Sequence, residues 1–259
     1  MIKALFFDID GTLVSFNTHK VPASTIDAIA KVKEKGIKVF IATGRPKAII
    51  NNLGNLEFDG YITMNGSICF AGKDEVIYKN SIPAEDVQTL TNIIRKKTIT
   101  STFVTEKKMY IVNPNWMSDE FSTLLNVHSL PQIDPEDIPG KEIFQVSPFI
   151  TPAQEVKLMP QIPHCESGRW HTSFTDIVAV GSGKNNGIDA IINHFGIALE
   201  DTMAFGDGGN DISMLKHAAI GVAMGNANDN VKQVADYVTD TVDNDGILKA
   251  LEHFGIIEK

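Results

Sequence analysis

The chain has 259 residues, 43% of them hydrophobic, and a formal net charge of −9. That is material for one large domain or two modest ones, and the acidic balance excludes the basic face that non-specific nucleic-acid binding needs. Cys69 and Cys165 are too few for a disulfide framework or a zinc site, and no apolar run reaches membrane-spanning length.

With no signal-peptide pattern either, the expectation is a cytoplasmic protein with reduced, buried thiols and no membrane partner. An anionic substrate would be repelled overall and must be captured by local positive groups.

The first predicted element is a strand. Leu5, Phe6 and Phe7 form an apolar run of the kind buried on both faces of a sheet, and it stops at Asp8-Ile9-Asp10-Gly11-Thr12. Period-two alternation puts Asp8 and Asp10 on one side if strand geometry continues. Burying an unpaired carboxylate costs roughly several kcal/mol, so two at the mouth of a core strand need a cation or a proton. A hard divalent ion such as Mg2+ takes oxygen ligands of this type. Asp-x-Asp-Gly also opens Ca2+ loops, but Asn17 is out of register for one and no glutamate stands at the twelfth position. A plain turn after a core strand stays open for this stretch taken alone.

Residues 21–35 place Ile26, Ile29, Ala30 and Val32 at helical spacing, with Pro22 and Ser24 near the start and Gly36 at the stop. A second strand over 37–42 ends in Thr43-Gly44-Arg45-Pro46. Strand, helix, strand builds a parallel sheet, whose ligands sit beyond the carboxyl ends of the strands. Asp8, Asp10 and Thr43 therefore fall on one edge. Thr43 offers a hydroxyl and Gly44 a backbone N–H; capping the next helix is the competing role. A third strand over 61–64 ends in Asn65-Gly66, a hairpin signal leading into short strands at 68–70 and 76–78. Asn65-Gly66 either faces a pocket or only turns the chain.

From residue 82 the texture changes. A helix over 84–96 is followed by a hairpin of 102–104 with 109–112, then a helix over 116–125. A Pro- and Asp-rich loop spans 131–140. Strand-like 143–150, helical 152–159, strand-like 162–165 and a hairpin of 170–174 with 177–180 complete an α+β unit with an antiparallel sheet. Trp170 and His171 invite a sugar-stacking reading, but a strand tryptophan more often packs. His128 and His164 have no ligand spacing. None of these four is counted as a site residue.

The α/β rhythm then returns. Gly181-Ser182-Gly183-Lys184 leads into a helix over 185–195, and a strand over 202–205 ends in Gly206-Asp207-Gly208-Gly209-Asn210-Asp211. A helix over 212–218, a strand over 220–223, helical 231–234, a strand over 237–239 and a helix over 247–254 close the chain. The expected fold is α/β: a doubly wound parallel sheet from residues 1–81 and 182–259, split by an inserted domain at 82–181. Lys184 at a helix start sits against the macrodipole, a mild cost that a structural role does not explain. A solvated helix end is nevertheless the commoner setting for a lysine.

Together Asp8-Ile9-Asp10-Gly11-Thr12, Thr43-Gly44-Arg45, Lys184 and Gly206-Asp207-Gly208-Gly209-Asn210-Asp211 resemble, in order, the four motifs of the haloacid dehalogenase superfamily of phosphohydrolases. The insert lies where Cof-type members carry an α/β cap that sets specificity. The match departs at Asn185-Asn186-Gly187, where a glycine directly after the lysine is commoner.

The resemblance implies a Rossmann-like core and Mg2+-dependent hydrolysis of small phosphorylated metabolites, above all sugar (hexose) phosphates. It assigns the nucleophile to Asp8, which would form an aspartyl-phosphate, and general acid–base work to Asp10. Asp8, the backbone carbonyl of Asp10, and Asp207 would bind Mg2+. Lys184 would neutralise a phosphate oxygen and restrain Asp8, while Thr43, Gly44 and Asn210 would hold phosphoryl oxygens. Arg45 would meet the phosphate or the leaving group, or else pair with a neighbouring carboxylate. Asp211 would support the metal shell through water or Lys184. A phosphomutase of the same fold and a non-catalytic phosphometabolite-binding protein are the alternatives. The full set of Asp8, Asp10, Lys184 and Asp207 speaks against the second. A monomer or weak homo-oligomer is expected.

Overall fold

Leu5 and Phe7 face one side of β1 (Ala4–Phe7), Ala4 and Phe6 face the other, and all four are fully buried in a computed structural model that describes every residue except 126, 128, 129, 170 and 259. The next elements are α1 (Ala23–Glu34), β2 (Lys38–Ala42), β3 (Gly60–Thr63), β4 (Ile68–Ala71) and β5 (Glu75–Lys79). An excursion follows: α2 (Ala84–Lys97), β6 (Ser101–Val104), β7 (Met109–Val112), α3 (Trp116–Leu124), β8 (Gln145–Pro148), α4 (Pro152–Leu158), β9 (Cys165–Gly168) and β10 (Asp176–Ala179). The chain returns through α5 (Lys184–Phe195), β11 (Thr202–Gly206), α6 (Ile212–His217), β12 (Ile220–Ala223), α7 (Asp229–Lys232), β13 (Tyr237–Val238) and α8 (Gly246–His253).

The larger sheet has eight strands in the order β13-β12-β11-β1-β2-β3-β4-β5. Pairing is parallel from β13 to β3 and antiparallel at β4 and β5. Ile29 and Val32 of α1 and Ala250 and Leu251 of α8 cover the face of Leu5 and Phe7. Ile188 and Ile191 of α5 and Met214 and Leu215 of α6 cover the face of Phe6 and Phe40. Burial on both faces is why these strands read as continuous apolar runs. Phe6 stacks on Phe40 and Phe7 on Phe205, with ring centroids 5.0 and 4.7 Å apart, so aromatic pairs lock β1 to both neighbours. From β1 the chain steps first to β2 on one side and later to β11 on the other. The carboxyl end of β1 is thus the switch point at which such sheets form clefts.

The smaller sheet, antiparallel in the order β7-β6-β8-β10-β9, is built wholly from residues 101–179. Apolar residues of α2 and α4, Leu90 and Leu158 among them, cover one face. Its other face presents Val104, Met109, Phe144 and Phe174, which pack with Phe121 of α3 against Met64, Ile68 and Phe70 of the larger sheet. That apolar seam seats the smaller sheet on the larger one.

Two local expectations need correcting. The partner of β10 is β9, not residues 170–174; residue 170, with His128, lies outside the described residues. β9 is a short edge strand with exposed Glu166 and Ser167, so it lacks the apolar signature of a strand. Downstream, the guanidinium Nη1 of Arg169 donates to the carbonyls of His171, Thr172 and Phe174 at 3.2, 3.0 and 2.9 Å and holds that segment as a loop. Secondly, β1 ends at Phe7, so Asp8 and Asp10 share an edge through the loop that follows rather than by strand alternation. Among the described residues no helix is long and apolar enough to cross a membrane. Both cysteines are free and buried.

Candidate active site

Asp8 extends the sheet by one residue beyond β1, its N–H donating to the Phe205 carbonyl at 3.0 Å. Its side chain meets Lys184, the first residue of α5, whose Nζ lies 2.7 Å from Asp8 Oδ1 and 2.5 Å from Asp211 Oδ1. Lys184 and Asp211 have essentially no solvent contact. The second oxygen of Asp211 accepts the backbone N–H groups of Asp207 and Gly208 at 2.9 and 2.8 Å. Asp211 therefore shapes the loop after β11 and has both oxygens engaged.

Asp207 is held from the other side. Its Oδ1 accepts from the Thr12 hydroxyl at 2.9 Å and its Oδ2 from Asn226 Nδ2 at 3.2 Å. Gly11 makes room for it. The φ there is +89°, and a Cβ would fall 2.2 Å from Asp207 Oδ2. The loop after β1 can thus close over Asp207 only with glycine at this position.

Oxygens of Asp8, Asp207 and Asp211 lie within 4.8 Å of one another. Three carboxylates face one ammonium, leaving two negative charges in excess. Burial pushes the Asp8 carboxyl well above the ordinary range; Lys184 opposes this, while Asp211, Asp207 and Asp10 add to it. Burial, then the neighbouring Asp211, raise Asp207 to about 7. Burial also works against the charge on Lys184, yet Asp211 and Asp8 hold it protonated above the usual lysine range. An excess of two charges on hard oxygen donors suits a divalent cation such as Mg2+. Asp8 and Asp207 line the adjoining cavity and Asp211 does not, so Asp8 and Asp207 are the side chains that could hold it.

The remaining expected residues line one cavity of about 110 Å3 above these carboxylates. Thr43, Gly44, Arg45, Asp10 and Asn210 contribute from the larger sheet's loops, and Met109, Phe121, Leu125, Gln145 and Asp176 from the smaller sheet and α3. Thr43 is buried, and its hydroxyl accepts the Arg45 N–H at 3.0 Å. Asn210 Nδ2 donates to Asn65 Oδ1 at 2.9 Å. Arg45 has its guanidinium on Asp10, the carboxylate pairing that stood as the alternative to a phosphate contact.

Sequence reasoning missed Gln145, Asp176, Met109, Phe121 and Asn226. Asp176 reads as a polar residue ahead of the apolar run of β10, and Gln145 as one polar position between Phe144 and Val146; both are buried. A polar residue at an inward-facing strand position was the only local signal.

The family model of haloacid dehalogenase-like hydrolases matches residues 5–251. YkrA of Bacillus subtilis (strain 168), which carries a provisional phosphatase name, is 34% identical over 261 residues, covering 99% of this chain and 99% of that protein. Among solved structures, the subclass IIB sugar phosphatase BT4131 superposes with a TM-score of 0.95 at 55% identity, over 98% of this chain and 100% of that one. A structure that shows a conserved trigonal-bipyramidal intermediate in a phosphoryl-transfer superfamily gives 0.96 at 56% identity, over 99% and 100%.

Proposed function

Because this chain belongs to the haloacid dehalogenase-like hydrolases and is a phosphatase of that family, we propose that it is a cytoplasmic, Mg2+-dependent enzyme that hydrolyses sugar phosphates through an aspartyl-phosphate. The reading rests on one juxtaposition. Asp8, at the carboxyl end of the central strand and 2.7 Å from Lys184, opens onto a chamber walled by both sheets. The name of BT4131 as a sugar phosphatase supports the substrate class.

In this reading Lys184 holds one oxygen of Asp8 so that the other attacks phosphorus in line. Asp10 gives a proton to the departing sugar oxygen, then takes one from the water that attacks the phosphorylated Asp8. Thr43, the Gly44 N–H and Asn210 hold the phosphoryl oxygens. Asp8, Asp207 and the Asp10 carbonyl hold Mg2+, which when bound neutralises charge on the transferring group. Residues 82–181 act as a cap, with Gln145 and Asp176 offering hydrogen bonds to sugar hydroxyls and Met109 and Phe121 apolar contact.

The test is a panel of phosphorylated metabolites assayed with Mg2+ and with EDTA. Hexose phosphates are expected to be turned over with Mg2+ only. Failure of every phosphate monoester in the panel would overturn the reading, and preference for a non-sugar ester would overturn the substrate class.

A further inference from the structure

Asn65 stands where the two sheets and two of the proposed catalytic loops meet. It is buried, in the turn after β3, and both Met64 and Asn65 take left-handed backbone with φ of +49° and +53°. Asparagine tolerates that conformation better than most residues. Gly66 has φ +98°, and a Cβ there would fall 1.7 Å from the Ser182 carbonyl oxygen. The turn is therefore wedged against the segment leading into Lys184. Its backbone is also pinned to the second motif, Asn65 N–H donating to the Thr43 carbonyl at 3.0 Å.

The side chain reaches further. Nδ2 donates to Asp176 Oδ2 at 3.1 Å and lies 3.5 Å from Gln145 Oε1, both on the cap. Oδ1 accepts from Asn210 Nδ2 at 2.9 Å. Asp176 sets this orientation: a carboxylate only accepts, so the amide nitrogen must face it and the amide oxygen is left for Asn210. Asp176 is itself fixed by the Ser147 hydroxyl at 2.7 Å. The Asn210 nitrogen carries two hydrogens, and giving one to Asn65 leaves one for a phosphoryl oxygen.

We propose that Asn65 is a positioning residue that transmits the seating of the cap to Asn210. With the cap seated, Asp176 aligns the Asn65 amide, and that amide aligns Asn210. With the cap lifted, the amide loses its carboxylate partner and Asn210 loses its guide. Firm phosphate holding is thereby confined to the seated state. The proposal rests on the reading of Asn210 as a phosphoryl contact.

A double-mutant cycle tests it. Asn65→Gly keeps the left-handed backbone accessible and removes the amide; Asn210→Ala removes its target. The readouts are competitive inhibition by inorganic phosphate and kcat/KM on p-nitrophenyl phosphate. Each single variant is expected to weaken both roughly tenfold. The double variant is expected to match the worse single one within about twofold. Additive losses overturn the relay, because a general loosening of the turn would add to the loss of Asn210. If Asn65→Gly does not fold, Asn65→Asp, which also accepts the left-handed backbone, keeps an oxygen for Asn210 but sets a carboxylate against Asp176; it is expected to weaken both readouts roughly tenfold, and parental values would overturn the transmission from the cap. An unaltered Asn210→Ala removes Asn210 from the phosphate site and the relay with it, while turnover by the parent protein leaves the phosphatase reading standing.

Discussion

Arg45 grips both oxygens of Asp10 along one edge of its guanidinium, Nε donating to Oδ2 and Nη2 to Oδ1, each at 2.7 Å. Its Nη1 donates to the carbonyls of Ile49 and Leu125 at 3.1 and 2.9 Å. Leu125 closes α3 on the cap side, so one buried cation ties the proposed acid–base group to the cap. The planar fork of arginine matches two carboxylate oxygens and fixes their direction, which a lysine ammonium does not.

Arg45→Lys keeps the charge and loses the fork. If the fork aims Asp10, kcat/KM on a hexose phosphate falls about 10- to 100-fold, because a sugar alkoxide leaves only with a proton. On p-nitrophenyl phosphate, whose phenolate leaves readily, the loss stays below about tenfold. Steady-state kinetics on the two substrates decides. Equal losses would mean that Arg45 serves phosphate binding and does not align Asp10.

Lys184 joins two buried carboxylates, and removing it strands both. Breaking a buried pair from one side costs about 3–5 kcal/mol. For a chain of this size each kcal/mol lowers Tm by about 2–4 °C, so Lys184→Ala in metal-free buffer near neutral pH is expected to melt about 6–20 °C lower, and to be inactive. A scanning calorimetry shift of less than about 2 °C would show that Asp8 and Asp211 are compensated by something other than Lys184.

The raised Asp207 carboxyl links stability to pH and to metal. Its folded value of about 7 exceeds the reference of 3.8, so between these values the folded state binds more protons than the unfolded one. Ionisation then works against folding: the penalty is absent below the lower value, grows across the window and is complete above the upper one. Metal-free protein should therefore be more stable at about pH 5.5 than at about pH 8. Mg2+ offsets the charge without displacing a proton at the higher pH, so it should raise Tm more there. Melting curves with EDTA and with Mg2+ at both pH values measure this. An equal Mg2+ effect at both would contradict it.

What was legible in the sequence followed from burial on both faces of the larger sheet. Leu5, Phe6 and Phe7 advertise a core strand, and the polar residues that end it, Asp8 and Asp10, stand out against that run. The same holds for Thr43 after β2 and for Asp207 after β11. The cap was read less well at one edge of its sheet, where the strand is short and polar. β9, with Glu166 and Ser167 turned outward, carries no apolar pattern. The contacts that complete the chamber are long-range: Asn65 meets Gln145 80 residues away and Asp176 111 residues away. Period and spacing describe an element's own faces, and they do not reveal which distant element will face a buried asparagine.

The two aspartates after β1 can be told apart by where phosphate is left. Asp8→Asn removes the proposed nucleophile while keeping the shape of the side chain, so every substrate should fail and no covalent intermediate should form. Asp10→Asn keeps the nucleophile and removes the proton donor and acceptor, a contribution of about 10²–10⁴-fold. p-Nitrophenolate leaves with little need of a proton, so the first half-reaction of Asp10→Asn survives best with that ester. Its second half-reaction lacks the base that activates water, so phosphorylated Asp8 should accumulate. Rapid-quench mass spectrometry with p-nitrophenyl phosphate and Mg2+ reads this directly. A phosphoryl adduct on Asp8 is expected in Asp10→Asn and none in Asp8→Asn. An adduct mapped to Asp10 or Asp207, or any adduct in Asp8→Asn, would reverse the roles argued for the two carboxylates. An adduct-free Asp10→Asn that still turns over the ester at an undiminished rate would place the base on another residue.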